Sequence, residues 1–317
     1  MIKRIFLRFF APFFLLIFVS SCSLYDITEK RIREYFSSVG LTSALFKTKD
    51  TTLHYWIGGK GKPIVILHGF GTDSRFQWVS QVGELAKKYS VIMPDLVYFD
   101  KSSSSSGDFS VDFQAKTILE LLNSLNAEEF FLMGASYGGL VGITLTDMAP
   151  EKVKSLILCD SPVKFYTNKH NEKALEKFSV SSIEELLVPS TPEGLPRLLS
   201  LAYRNPPIFP TIYLRDTFDK MFTIQTEEKR NLLRYLKDYE DEFLKKEYEV
   251  KCKTLLVWGE YDLLIPPEIG KKLKSYLKND TRLEVFKNTA HMPNMEKPAL
   301  FNKLILEFLG QEQISQN

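Results

Sequence analysis

A serine stands between two glycines in Gly134-Ala135-Ser136-Tyr137-Gly138, after an apolar run and before a helical pattern over 140–148. A serine at such a strand-to-helix turn is held in a strained conformation, and glycine two residues either side lets the backbone pass. The turn exposes the hydroxyl, and the helix N-terminus favours developing negative charge beside it. The chemistry this suits is attack on a carbonyl, for which the hydroxyl needs a base. The chain has 4 histidines. His54 lies within a strand pattern, expected as a surface or packing residue, and His170 lies where nothing fixes it near a sheet. His68 directly follows a strand, in His68-Gly69-Phe70-Gly71, and His291 follows the last strand, in Ala290-His291-Met292-Pro293. Catalytic groups gather in loops at the carboxyl ends of a parallel sheet. Elimination and the chain order serine, acid, histidine select His291. The acid that would orient its imidazole is assigned to Asp262, after the run Leu255-Leu256-Val257-Trp258. Glu260, nearer the strand, and Asp160, at the end of the preceding strand, are its rivals.

These residues need a scaffold that delivers them to one edge. Short continuous apolar runs at 51–57, 63–67, 90–93, 130–133, 155–158, 254–258 and 282–286 alternate with helical patterns. Such a series predicts an α/β fold with a mostly parallel central sheet, covered by helices on both faces. Gly58-Gly59-Lys60-Gly61 reads as the turn after the first strand. Asp26 and Glu29 have capping-box spacing ahead of a short helix that ends near Gly40. Ser110 caps a later helix, and the low-complexity stretch 102–106 reads as a loop. From 163 to 250 no strand pattern occurs, only charged helical pattern and a proline-rich loop at 205–210, so this segment is expected to sit above the sheet as an inserted helical lid. Phe165, Tyr166, Phe209, Tyr213, Phe218 and Phe222 could line an acyl pocket there, or hold the lid to the core.

Together, His68-Gly69-Phe70-Gly71, the Gly134 to Gly139 turn, Trp258-Gly259-Glu260-Tyr261-Asp262 and Ala290-His291 resemble the α/β-hydrolase superfamily, in its lidded branch of serine esterases and lipases. The resemblance spans 51–309. It implies an oxyanion hole from the backbone N–H groups of Phe70 and Tyr137, with His68 shaping that loop rather than acting as a base. Ser136 sets the chain apart from the branches that use Asp as nucleophile. Two departures stand out. Tyr98 and Asp100 occupy positions where the corresponding loop usually carries glycines, so this loop is expected to run differently. Ala290 stands where glycine usually precedes the histidine.

The expected activity is hydrolysis of carboxylic esters, lipid-like ones included, through an acyl-enzyme. The same triad would serve an amidase, an aminopeptidase or a carbon–carbon bond hydrolase. A non-catalytic binding protein on this fold would ordinarily lack a triad member, whereas all three are present. No metal or organic cofactor is called for. A formal net charge of +2 over 317 residues gives no basis for a nucleic-acid partner.

Residues 1–22 differ from the rest. Lys3, Arg4 and Arg8 precede an uncharged apolar run at 9–19, and Val19-Ser20-Ser21-Cys22 resembles a bacterial lipobox. An apolar run of this length matches a secretory signal and is too short to span a bilayer as a helix. The expectation is an exported protein held in the cell envelope by a lipid on Cys22. The organisation expected is a signal at 1–22, a tether and helix at 23–50, a catalytic core at 51–162 and 251–310, and the lid at 163–250. Cys159 and Cys252 fall at opposite ends of neighbouring strands, about 15 Å apart at roughly 3.3 Å per residue, beyond disulfide reach.

Overall fold

The computed structural model describes residues 23–277 and 280–314; the lipobox-like run at 19–22 lies outside them. Its centre is a sheet in the order β1-β2-β4-β3-β6-β7-β8-β9. The strands are β1 (Leu41–Lys47), β2 (Thr51–Gly59), β3 (Pro63–Leu67), β4 (Ser90–Pro94), β5 (Ser103–Ser104), β6 (Phe130–Ala135), β7 (Val153–Cys159), β8 (Lys253–Gly259) and β9 (Thr281–Phe286). From β4 across to β9 all pairings are parallel, whereas β2 runs antiparallel to both β1 and β4. The chain places β4 on one side of β3 and β6 on the other. The carboxyl ends of β3 and β6 therefore flank the point where strand order reverses, which is where such sheets bind ligands.

Alternation along the inner strands splits the core in two. Val65, Leu67 and Leu132 face helices α3 (Val111–Ser124), α4 (Tyr137–Met148) and α11 (Pro267–Leu277). Ile64, Ile66, Phe131 and Met133 face α1 (Leu24–Ser38), α2 (Ser74–Leu85) and α13 (Pro298–Ile314). Between β7 and β8 the described chain is helical, from a 3-10 turn at Asn168–Asn171 through α5 (Glu172–Phe178), α6 (Ile183–Leu187), α7 (Leu195–Ala202), α8 (Thr211–Thr217) and α9 (Thr226–Asp238) to α10 (Glu240–Lys245). A short α12 (Pro293–Glu296) precedes α13. Among the described residues no helix is long and apolar enough to cross a membrane.

Several local expectations need correction. The stretch 23–50 is not a tether followed by a helix. Ser23 caps α1 directly, its hydroxyl accepting from the Asp26 N–H at 3.3 Å, while Glu29 turns to Arg33 and Arg75. The rest of the stretch contains β1, an edge strand in which Leu41 alone is fully buried, so it shows no clean alternation. Gly58 and Gly59 belong to β2, paired with Val91 and Ser90, and a Cβ on Gly58 would lie 2.2 Å from the Gly40 oxygen. Within 102–106, Ser103 and Ser104 pair with Thr52 and Thr51 as β5. His54 is buried against a carboxylate, its Nδ1 lying 2.6 Å from Asp95 Oδ2. Cys159 and Cys252 are buried thiols with no disulfide, as expected.

Candidate active site

The turn after β6 forces Ser136 to φ 52° and ψ −124°, a left-handed region costly for a residue with a Cβ. Close packing imposes it. A Cβ on Gly134 would sit 2.3 Å from the Gly138 oxygen, and one on Gly138 would sit 2.4 Å from the His68 oxygen. The two glycines thus serve close approach of three backbone segments. The Ser136 N–H donates to the Cys159 oxygen at 2.8 Å, anchoring the turn to β7. Its hydroxyl makes no capping bond to α4, although Ser136 occupies the N-cap.

His291 arrives from the loop after β9. Its Nδ1 lies 2.7 Å from Asp262 Oδ2; the Asp262 side chain is buried and His291 is half-buried. The other Asp262 oxygen accepts the N–H groups of Leu264 and Ile265, each at 2.9 Å. Those bonds fix the carboxylate so that one oxygen faces the ring. The imidazole then carries its proton on Nδ1 and leaves Nε2 as the acceptor. Ser136 and His291 line the same cavity.

The loop after β3 runs against the serine, since a Cβ on Gly69 would lie 2.9 Å from Ser136 Cβ. His68 is fully buried, with Nδ1 2.8 Å from the Gly69 oxygen and Nε2 accepting the Leu96 N–H at 2.9 Å. Burial holds its pKa below the ordinary value. Both ring nitrogens are occupied in positioning the backbone. Tyr137 begins α4, so its N–H is one that a helix start leaves unpaired. The Phe70 ring packs edge-on to Tyr137 at 5.2 Å.

A family model for the alpha/beta hydrolase fold matches residues 62–298. The chain belongs to the α/β-hydrolase family. It is 26% identical to monoacylglycerol lipase ABHD6 of Homo sapiens, over 96% of this chain and 93% of that protein. It is 27% identical to the 2-hydroxy-6-oxononadienedioate/2-hydroxy-6-oxononatrienedioate hydrolase of Escherichia coli (strain K12), over 83% and 92%. Among solved structures, a protein of Acinetobacter baumannii AYE provisionally designated a lipase superposes with a TM-score of 0.80 at 26% identity, covering 95% of this chain and 99% of that one.

In this α/β-hydrolase the two rival acids take other partners. Asp160 Oδ1 accepts the Gly259 N–H at 2.8 Å, and the carboxyl faces Asp262. Burial and the neighbouring Asp262 charge push its pKa well up. Glu260 pairs with Lys287 at 2.7 Å and accepts the Asn288 N–H, on the outer side of the loop.

The loop 95–102 keeps its course despite lacking glycine. Tyr98 (φ 74°) and Asp100 (φ 46°) both adopt the left-handed backbone that glycine favours, contrary to the expected rerouting. Tyr98 is buried beside Phe109, and Asp100 receives Arg75 at 2.9 Å, contacts that offset roughly 1–2 kcal/mol of strain at each residue. Burial with Asp73 and Asp95 nearby raises the Asp100 pKa to about 6. Gly259 lets the backbone before His291 close in, a Cβ there falling 1.8 Å from the Ala290 oxygen.

The cavity over Ser136 lies between the sheet and the helical insertion. Of the six aromatics singled out, Phe209, Tyr213 and Phe222 line it. Tyr166 lines a smaller neighbouring space, Phe165 packs on Tyr276, and Phe218 stacks on Phe222. Most of the wall is aliphatic, with Leu195, Leu198 and Leu199 from α7 and Met292 and Met295 beside His291. Two positioning residues carried no sequence signal. Gln77 accepts the Gly69 N–H at 2.7 Å and lies 3.9 Å from Met292 sulfur, joining the loops after β3 and β9. Glu296 accepts the Ala290 N–H beside His291 and, at 2.9 Å, the Arg204 N–H from the insertion.

Proposed function

We propose that this chain hydrolyses carboxylic esters with an apolar acyl group, lipid esters included, through an acyl-enzyme on Ser136. One observation carries the reading. The strained serine and the Asp262-bound His291 open into a single cavity whose exposed wall is overwhelmingly hydrocarbon. His291 takes the Ser136 proton as the hydroxyl attacks the ester carbonyl. The N–H groups of Phe70 and Tyr137 receive the oxyanion, and the protonated imidazole then releases the alcohol. Water activated by His291 frees the acid by the same steps.

The lipase names of the human and Acinetobacter relatives support an ester. The E. coli relative suggests carbon–carbon cleavage as a second reading. A dioate substrate carries two carboxylates, however, and no Lys or Arg is among the described residues lining this cavity. An uncharged substrate suits it better, because burying an unpaired carboxylate is costly. The lipobox at 19–22 adds a site in the cell envelope, lipid-anchored through Cys22.

Aryl esters of increasing acyl length, assayed beside amino-acid anilides, test the reading. Turnover that rises with chain length and vanishes after fluorophosphonate labelling of Ser136 is expected. Anilide cleavage without ester cleavage would overturn it.

A further inference from the structure

The outer rim of the cavity carries an apolar surface with no role in the chemistry above. In the segment 205–210, Pro207 and Phe209 point into the cavity, while Ile208 between them is 98% exposed. Next comes α8, a helix with no buried residue, on which Ile212 is 63% exposed and Arg215 faces solvent one turn on. Asp216 lies on the same stripe as Ile212, four residues away, and its carboxylate accepts the Leu24 N–H at 2.9 Å. The start of α1 is thereby joined to α8, with a second link from Lys220 to Asp26 at 3.5 Å. Leu24 and Ile27, one turn apart on α1, are exposed as well. Four large aliphatic side chains and a basic residue thus ring one side of the cavity mouth.

We propose that this rim docks onto a lipid bilayer, with the cavity mouth turned toward the membrane so that an acyl chain passes into it without crossing bulk water. Two observations favour a bilayer over another protein. Ile208 and Ile212 protrude singly and Leu24 and Ile27 from the first turn of α1, with Arg215 among them, which suits shallow insertion among headgroups rather than a broad flat contact. The chain also leads into this rim from residues 1–22, whose sequence has a basic start and an apolar run and joins α1 at Ser23. A lipid on Cys22, which stays beside Ser23 once the leader is removed, would bring the rim, and not the opposite edge of the sheet, to the surface. The orientation rests on the lipid-ester reading of the cavity and adds which face the lipid comes from.

The test uses the full chain in phosphatidylcholine–phosphatidylglycerol vesicles. Trp56, Trp78 and Trp258 are all buried, so the indole introduced by Ile208→Trp is the one available to lipid. On a Ser136→Ala background, brominated lipids should quench most of the emission that Ile208→Trp adds. In the active chain, Ile208→Glu and Ile212→Glu should each lower hydrolysis of a long-chain ester in vesicles by about tenfold or more. Their rate on a soluble short-chain aryl ester should stay within about twofold. Absence of quenching overturns the proposal, as does unchanged vesicle turnover in both Glu variants. A concentration-dependent dimer that Ile212→Glu dissolves, without quenching, would instead give the rim to a second copy. Quenching is read on an inactive chain, so failure of the esterase assay leaves it interpretable.

Discussion

At the scale of single residues, the site divides into one group that reacts and several that hold it. Ser136→Ala should leave a folded protein with activity down by roughly a million-fold, to background; turnover surviving in the pure variant would remove Ser136 from its role. The three carboxylates near His291 make a sharper comparison. Asp262→Asn should lower turnover by about ten-thousand-fold, because the amide favours the wrong imidazole tautomer. Asp160→Asn should cost far less, since an amide oxygen still accepts the Gly259 N–H. Glu260→Gln should be mild for a group on the outer side of its loop. A greater loss from Asp160→Asn than from Asp262→Asn would transfer the acid's role. Asp160 also predicts a pH dependence of stability. With its folded pKa raised, folding takes up a proton that the unfolded carboxyl releases above about pH 4. Its favourable contribution is complete below that pH and is lost as pH rises toward the folded pKa. Relative to wild type, Asp160→Asn should therefore gain stability with increasing pH, by up to about 1.4 kcal/mol per unit. Urea unfolding at a series of pH values reads this directly, and a pH-independent difference would contradict it.

At the scale of elements, what could be read in advance depended on where burial acts. The inner strands are covered on both faces, so β3 and β6 throughout, and β7 and β8 from Leu156 and Leu255 onward, are apolar and stand out in the sequence. Ser136 and Asp262 follow β6 and β8 and His291 follows β9, which is why the order of motifs along the chain brought the three to one end of the sheet. Edge strand β1 buries one residue fully and left no such trace. Within the insertion, helix boundaries answer to the cavity beneath, and the contacts that place it are remote in sequence. Glu296 meets Arg204 across 92 positions and through backbone N–H groups, which no residue pattern encodes. The same contact makes the insertion and the His291 loop one unit, reinforced by Arg204 over the Tyr261 ring at 4.4 Å. Glu296→Ala removes charge-assisted bonds worth about 1.5–3 kcal/mol each. Turnover should fall by about tenfold or more, and protease cleavage within 203–210 should accelerate. Unchanged cleavage would mean that the segment is held without Glu296.

At the scale of the whole molecule, α1 has two partners. Phe36 and Ile32 are buried against the sheet, and the helix start is bound to α8 of the insertion. Phe36→Ala should cost about 3–5 kcal/mol of folding stability by denaturant titration. The rate on a soluble ester below the midpoint should stay within about twofold, because Phe36 lies on the sheet face away from α4. A rate loss in proportion to stability would instead tie this helix to the chemistry. The two thiols supply a different kind of handle. Cys159 ends β7 beside the Ser136 turn, whereas Cys252 immediately precedes β8 at the opposite end of the sheet, and neither can meet an alkylating reagent until its surroundings open. Peptide-resolved alkylation would therefore act as a pair of clocks, one for each end of the sheet. Inhibitor bound at Ser136 should slow the Cys159 clock alone, unless the sheet opens only as a whole.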